Sequence, residues 1–400
     1  MNDTTAPGHG IYTFWGGALS LYSGKVRAYL IKKGIPYREF YSSHPEFQQR
    51  VRPVVRLSVT PILETPEGTF LQDSTEIIMA LETRIQERAM IPSTPVLRTV
   101  ATILDAFATE HMLLAAMHYR WGEPYVTRQR DFLCAEFGRV SYLGSDREAR
   151  NAAGTRMMSY FSAVLTSLGG NAETAPAIEA AYLELLERLD IHFQHVPYLL
   201  GGHPSIADFG FMAPLFAHLG RDPEPAKIMA MRAPNVMRWK ERMNLAVIED
   251  AEFPDLAAEF PALDIIPPTL EPILELIFRD WTPELRANAD FFNSWIAAHS
   301  ELPSGHLVNI DGKRRVHPSI GPISYRWRDV EVTRNSAPQT LWHFNKVLQL
   351  ARGLKGESRN KFDALMERVN GQQALNIELS RPLVRSDYVL VLGEQEPALR

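Results

Sequence analysis

Cysteine is almost missing: Cys134 is the one cysteine in 400 residues. That excludes an internal disulfide and any zinc site built on two or more thiolates. A surplus of one charge is missing too. The 42 Lys and Arg stand against 47 Asp and Glu, a formal net charge of −5. That balance leaves no electrostatic footprint for nucleic acid or an anionic membrane. No uninterrupted apolar run is long enough to span a bilayer. The opening MNDTTAPGHG lacks the basic and apolar regions of a signal peptide, so a cytoplasmic protein without membrane insertion is expected. Repeats and low-complexity tracts are absent. The rest is ordinary for a globular chain, 45% hydrophobic and 22% charged, and its length calls for two or three domains.

The first ninety residues alternate in type. IYTFW (11–15) reads as a short buried strand. SGKVRAYLIKKG (23–34) reads as a helix, with Val26, Tyr29 and Leu30 at helical spacing and Gly34 as its stop. PYREFY (36–41) alternates like a strand, TPILET (60–65) is a third and TFLQD (69–73) a fourth. Ser74 is placed to cap a helix whose face carries Ile77, Ile78, Leu81 and Ile85. The order β-α-β-α-β-β-α makes a small sheet covered by helices. IPSTPVLR (91–98) reads as a linker, and helical patterns then run to about residue 250. Residues 97–121 read as one long helix, and Ser205-x-x-Asp208 is the pattern of a reciprocal helix cap. A proline-rich stretch, FPALDIIPPTLEP, opens a third segment. It holds helices to about 299, a hairpin expected around Asp311-Gly312, helices near 338–352 and 358–370, and a last strand at 387–392.

Four motifs carry a resemblance. YSGKVRAYLIKKGIPYREF, VTPILET, FLQDSTEI and YLLGGHPSIADFGFMAPLF occur in that order, and residues 11 to about 245 resemble a cytosolic-type glutathione transferase. The resemblance implies an α/β thioredoxin-like N-terminal domain (10–90), an all-α C-terminal domain of the transferase type (96–250) and an α+β extension (264–400). The last of these lies outside the common family pattern. It also implies glutathione as co-substrate, a small electrophile as second substrate, a homodimer and a role in detoxification.

Such an enzyme must ionise the thiol of glutathione, whose free pKa of about 8.5 leaves little thiolate at neutral pH. A hydroxyl donor and a helix N-terminus both favour the anion. WGGALSLYSGK places both in front of the first helix. By register Ser23 matches the activating serine of one branch of the family and Ser20 that of another, and Tyr22 is a third donor; Ser23 is favoured. Tyr12 and Trp15 on the strand could line the site. Thr60-Pro61 resembles the family's pair ending in a cis proline, which offers backbone N–H and C=O to the glutathione peptide. Asp73 and Ser74 resemble the pair that holds the γ-glutamyl end. Ser74 would face its carboxylate and Asp73 its ammonium, with Gln72 as an alternative contact. No cysteine lies in residues 12–26, which argues against mixed-disulfide chemistry.

Phe107, His111, Leu114, His118 and Trp121 form one stripe at spacings of four and three. It reads either as the wall of an electrophile pocket, together with Trp15, or as a domain seam. His111 and His118 are too far apart for an i, i+4 metal pair, and His192 with His195 lacks a third ligand, so no metal is expected. Cys134 reads as a small buried apolar residue. GKRRVHP reads as a solvated hairpin tip. The leading function is glutathione-dependent attack on an electrophilic, apolar carbon. The alternative is a non-catalytic binding or interaction module on the same fold.

Overall fold

The computed structural model describes residues 10–394. The opening stretch read for a signal peptide and the last six residues of the extension lie outside them. Strand β1 (Tyr12–Trp15) is buried at three of its four positions and leads into helix α1 (Leu21–Lys33). Strands β2 (Tyr37–Phe40), β3 (Ile62–Glu64) and β4 (Phe70–Gln72) follow, with a short helix α2 (Arg52–Val55) before β3. The sheet order is β2-β1-β3-β4. β1 and β2 are parallel, while β3 runs antiparallel to both β1 and β4. This is the thioredoxin-like arrangement expected, closed by helix α3 (Ser74–Arg84). Two end assignments change. Helix α1 starts two residues before the expected Ser23, because Ser20 is its N-cap and accepts a hydrogen bond from the Ser23 N–H. Asp73, not Ser74, caps α3, accepting from the N–H groups of Thr75 (3.0 Å) and Glu76 (3.2 Å).

A helical region follows: α4 (Pro95–Glu110), α5 (Leu113–Trp121), α6 (Tyr125–Arg128), α7 (Arg130–Ser141), α8 (Arg147–Phe161) and α9 (Val164–Ser167). Then come α10 (Ala175–His195), α11 (Ile206–Ala217), α12 (Pro223–Arg232) and α13 (Pro234–Met243). The long helix expected at 97–121 breaks at His111–Met112, where the Met112 N–H reaches back to Phe107 O instead of continuing the i−4 ladder. Pro95–Trp121 is apolar and long enough to cross a membrane by length and composition, but 78% of its most apolar window is buried inside the fold. It is a core element. The capping box on α11 forms as expected: the Ser205 Oγ accepts from Ala207 N–H, and Asp208 accepts from Ser205 N–H at 2.9 Å.

The remaining chain forms α14 (Glu271–Ala298), strands β5 (Pro322–Trp327) and β6 (Val330–Asn335), α15 (Pro338–Gly353), α16 (Gly356–Arg368), α17 (Gln372–Leu375) and strands β7 (Leu383–Ser386) and β8 (Val389–Leu392). The hairpin expected around Asp311-Gly312 is an irregular loop. Its one β contact there is a bridge from Leu307 to Val391. The hairpins lie further on, β5–β6 and β7–β8. Their two-residue turns place Arg328-Asp329 and Asp387-Tyr388 at positive φ. The extension does not fold apart from the rest. Val389 and Val391 of β8 join Trp15, Phe47, Val51, Val55, Leu57 and Ile62 in one apolar cluster, and α15 packs on α4.

Candidate active site

A small cavity opens where α1, the start of β3, the β4–α3 turn and α4 meet. Ten of its twenty lining residues belong to those elements and ten to the extension. Tyr22 lies on the wall, one residue inside α1. Thr60 and Pro61 line the opposite side, joined by a cis peptide bond. Gln72, Asp73 and Ser74 line the floor where β4 turns into α3. The Ser20 hydroxyl lies 3.4 Å from Thr60 Oγ1, beside this group.

Ser23 is placed differently from its expected role. It is fully buried, it is not on the cavity wall, and a Cβ on Gly16 would sit 3.1 Å from its Oγ. The helix begins earlier than expected, so the third residue of its first turn points into the fold beneath the β1–α1 turn. The electrophile stripe is also a packing seam. Trp15 is buried beneath the sheet against Phe40 and Phe47, its indole N–H 3.3 Å from Glu64. Phe107 and His111 stack on each other, and His111 Nδ1 meets Glu284 of α14 at 2.7 Å. Leu114 is buried in the second apolar cluster, and His118 meets Glu179 at 3.0 Å. None of the five lines the cavity. Of the two readings of this stripe the geometry matches the seam: α10, α14 and the β5–β6 hairpin cover that face of α4 and α5. Cys134 is half-buried, its Sγ 3.4 Å from Asn151 O. Among the described residues no group of three His, Cys, Asp or Glu is placed to hold a metal ion.

Sequence reasoning missed the extension's share of the cavity. His343 of α15 stands between two carboxylates: Nδ1 is 2.6 Å from Glu110 Oε1, and Nε2 is 3.9 Å from Asp73 Oδ1. Neither contact has hydrogen-bond alignment, so both are ionic. Gln339 donates to Asp73 Oδ2 at 3.2 Å. Arg385 of β7 donates to Gln72 Oε1 and to Tyr388 O, and approaches Asp73 at 3.9 Å. Thr340 donates to Glu110 at 2.9 Å, and Lys346 pairs with Glu76.

These contacts set the charges. Burial by itself would raise the Asp73 carboxyl, but contact with His343 and the charges of His343, Arg385 and Lys346 hold it well below the usual carboxylate range. Burial by itself would lower His343, but Glu110 and Asp73 more than offset that and raise it, favouring the imidazolium. Burial, reinforced by Glu110 and Asp73, holds the Tyr22 phenol well above its ordinary value. Tyr22 therefore stays protonated and is a donor. A trace of His343 was present in the sequence: it shares the apolar face of its helix with Thr340, Phe344, Val347 and Ala351.

Residues 16–89 match the family described as glutathione S-transferase, N-terminal domain. Among curated proteins none matches the chain significantly. Among solved structures, a glutathione S-transferase from Rhodospirillum rubrum F11 is 14% identical over 65% of this chain and 97% of its own, with a TM-score of 0.36. The beta-etherase LigF from Sphingobium sp. strain SYK-6 is 16% identical over 58% and 94%, with a TM-score of 0.40. A glutathione S-transferase from Ceriporiopsis subvermispora in complex with glutathione is 15% identical over 59% and 99%, with a TM-score of 0.38.

Proposed function

We propose that this chain, whose residues 16–89 match the glutathione S-transferase N-terminal domain family, is a glutathione-dependent enzyme that attacks a small electrophile with the ionised sulfur of glutathione. One observation carries the reading. A single cavity joins the start of α1, the residue before cis Pro61 and the β4–α3 turn, the three places the resemblance assigns to the sulfur, the peptide and the γ-glutamyl end.

The chemistry follows from the first turn of α1. A thiolate before that helix meets its positive end and the hydroxyls of Ser20 and Tyr22. A protonated phenol donates to the sulfur anion and lowers the thiol pKa; the proton leaves to solvent. The sulfur lone pair then forms a bond to carbon as the leaving group departs with its electrons. Leu57, Val59, Val316, Val389 and Leu390 on the wall suit an apolar electrophile.

In an absorbance titration of bound glutathione, Tyr22→Phe should raise the thiol pKa by about one to two units, because a hydrogen bond to a charged group is worth about 1.5–3 kcal/mol. Ser20→Ala should raise it as well. Ser23→Ala should leave it unchanged, since Ser23 is buried and does not line the cavity. A Tyr22→Phe curve that overlays the wild type removes Tyr22 from this role.

A second reading is a non-catalytic module. It is favoured by the extension forming half of the cavity wall and engaging Asp73. Calorimetric titration of glutathione into wild type and Ser74→Ala, paired with turnover of an aryl halide, separates the two. Saturable binding weakened in Ser74→Ala, with turnover, supports the enzyme. Binding without turnover supports the module. No binding at millimolar glutathione ends the enzyme reading and leaves the module.

A further inference from the structure

We infer that residues 310–318 of the extension form a lid over the cavity, latched by Asp387 of the β7–β8 turn between Arg314 of the lid and Arg56 just after α2, and that glutathione enters when this latch opens. The inference rests on the glutathione reading above and adds how the site is reached.

The cavity has a free volume of about 40 Å³. A water needs about 10–15 Å³ of such space, and pockets for small organic ligands start at about 300 Å³. A tripeptide therefore enters only if part of the wall moves. Most of the wall is held from within. His343 fixes α15 through its buried pair with Glu110, and Val389 and Val391 of β8 are buried in the apolar cluster around Trp15. The piece left is a run of four wall residues, 315–318. His317 in this run lies over Tyr22, their ring centroids 6.1 Å apart.

The run belongs to a loop whose ends meet. The Ile310 N–H donates to Ser319 O at 2.8 Å, and the Ser319 N–H donates to Asn309 Oδ1 at 3.0 Å. A loop closed on itself in this way moves as one piece about its base. The base is anchored: Leu307 bridges to Val391, and the Ile320 N–H donates to Ser336 Oγ at 3.0 Å. Inside the loop, Asp311 pairs with Arg315 and accepts from the Lys313 N–H, so these bonds travel with it. Among the described residues, the hydrogen bonds and ion pairs from 310–318 to the chain outside 309–319 all come from Arg314. It donates to Val55 O at 3.3 Å, to Asp387 Oδ2 at 3.1 Å and to Asp387 O. Arg56 pairs with the same Asp387 oxygen. Val316 packs only at the edge of the Trp15 cluster, and Ile310 is exposed. The Arg56 and Asp387 side chains are about half exposed, so the latch is a surface ion pair, weak and screened by salt. A weak latch keeps the open form within reach, which entry requires.

The test uses the full chain and two readouts: stopped-flow association of glutathione, followed by tryptophan fluorescence, and hydrogen exchange of the amides of 310–319. Asp387→Asn suits the positive φ of its turn and removes the charge. It should speed glutathione association about threefold, the scale of one exposed ion pair. It should also speed exchange across 310–319 while leaving exchange in α11 unchanged. Arg314→Gln should do the same. Raising the salt to about 0.5 M should bring the wild type close to both variants. If Asp387→Asn does not fold, Arg314→Gln and the salt series on the wild type decide. Unchanged exchange in 310–319 means that Asp387 is not the latch and overturns the inference. Faster exchange with unchanged association puts the loop off the entry path and overturns it as well. Either result, with glutathione bound, leaves the glutathione reading standing. Absence of binding at millimolar glutathione in the wild type and both variants overturns the enzyme reading, and this inference with it.

Discussion

Lys25→Ala is expected to destabilise the protein by about 3–5 kcal/mol, the usual cost of leaving one partner of a buried ion pair alone. Lys25 is fully buried in the middle of α1. Its Nζ lies 2.5 Å from Asp105 of α4, 2.6 Å from Thr75 Oγ1 of α3 and 3.2 Å from Thr109 Oγ1. One ammonium thus ties the thioredoxin-like sheet region to the first long helix that follows it. Gly210 of α11 admits this arrangement, because a Cβ there would lie 2.6 Å from Asp105 Oδ1. Removing the ammonium leaves Asp105 with hydroxyl donors only, in a place where water does not reach. Lys25→Met keeps the aliphatic stem and should lose nearly as much, since the loss is one of charge and not of packing. The double variant Lys25→Met with Asp105→Leu should recover part of that loss. Urea denaturation measures all three. Thr75 is the second residue of α3, one place after Ser74, so glutathione binding should weaken in step with stability. A cost under about 1 kcal/mol for Lys25→Met would mean that the pair adds nothing beyond an apolar contact.

Legibility in the sequence divides along the same line as contact range. Elements whose signals are local were readable: the short buried strand around Phe14, the Gly34 stop and the Ser205-x-x-Asp208 box. These depend on neighbours within a few residues, where periodicity and capping speak directly. The hairpins of the extension were not readable. Their turns use Arg328-Asp329 and Asp387-Tyr388 at positive φ, where the sequence rule expects a glycine. The Asp311-Gly312 pair carried that signal but sits in a loop. The cavity was half readable. The first ninety residues named Tyr22, Thr60, Pro61, Gln72, Asp73 and Ser74, all of which line it, together with Ser20 beside it. Nothing local linked Asp73 to Gln339, 266 residues away, or Gln72 to Arg385, 313 away. For the same reason the stripe from Phe107 to His118 could be read as an open wall, because the helix that covers His111 begins at Glu271.

His343→Leu should destabilise the chain by about 3–5 kcal/mol at pH 6, because Asp73 and Glu110 would both remain buried without the cation between them. The effect should depend on pH in a stated direction. Burial lowers and Glu110 with Asp73 raises His343, and the net result is a folded pKa above its ordinary 6.5. Its contribution is therefore fully present below about 6.5 and is lost as the pH rises through the folded value. Asp73 is held down, so its contribution is present above its ordinary 3.8 and is lost as the pH falls through the folded value. Between those limits α15 is held to the floor of the cavity from both sides. Tyr22 of α1, Lys346 of α15 and Arg385 of β7 face the same group. Tyr22, held well above its ordinary value, stays protonated across this range. Urea denaturation of wild type and His343→Leu at pH 6 and again at pH 9 should show the gap between them narrowing at the higher pH. A gap of equal size at both values would mean that His343 is neutral in the fold and acts by packing. The same comparison joins stability to the cavity, because the ion pairs that hold α15 in place also engage Asp73 on its floor. Weakening them at pH 9 should loosen the extension over the cavity.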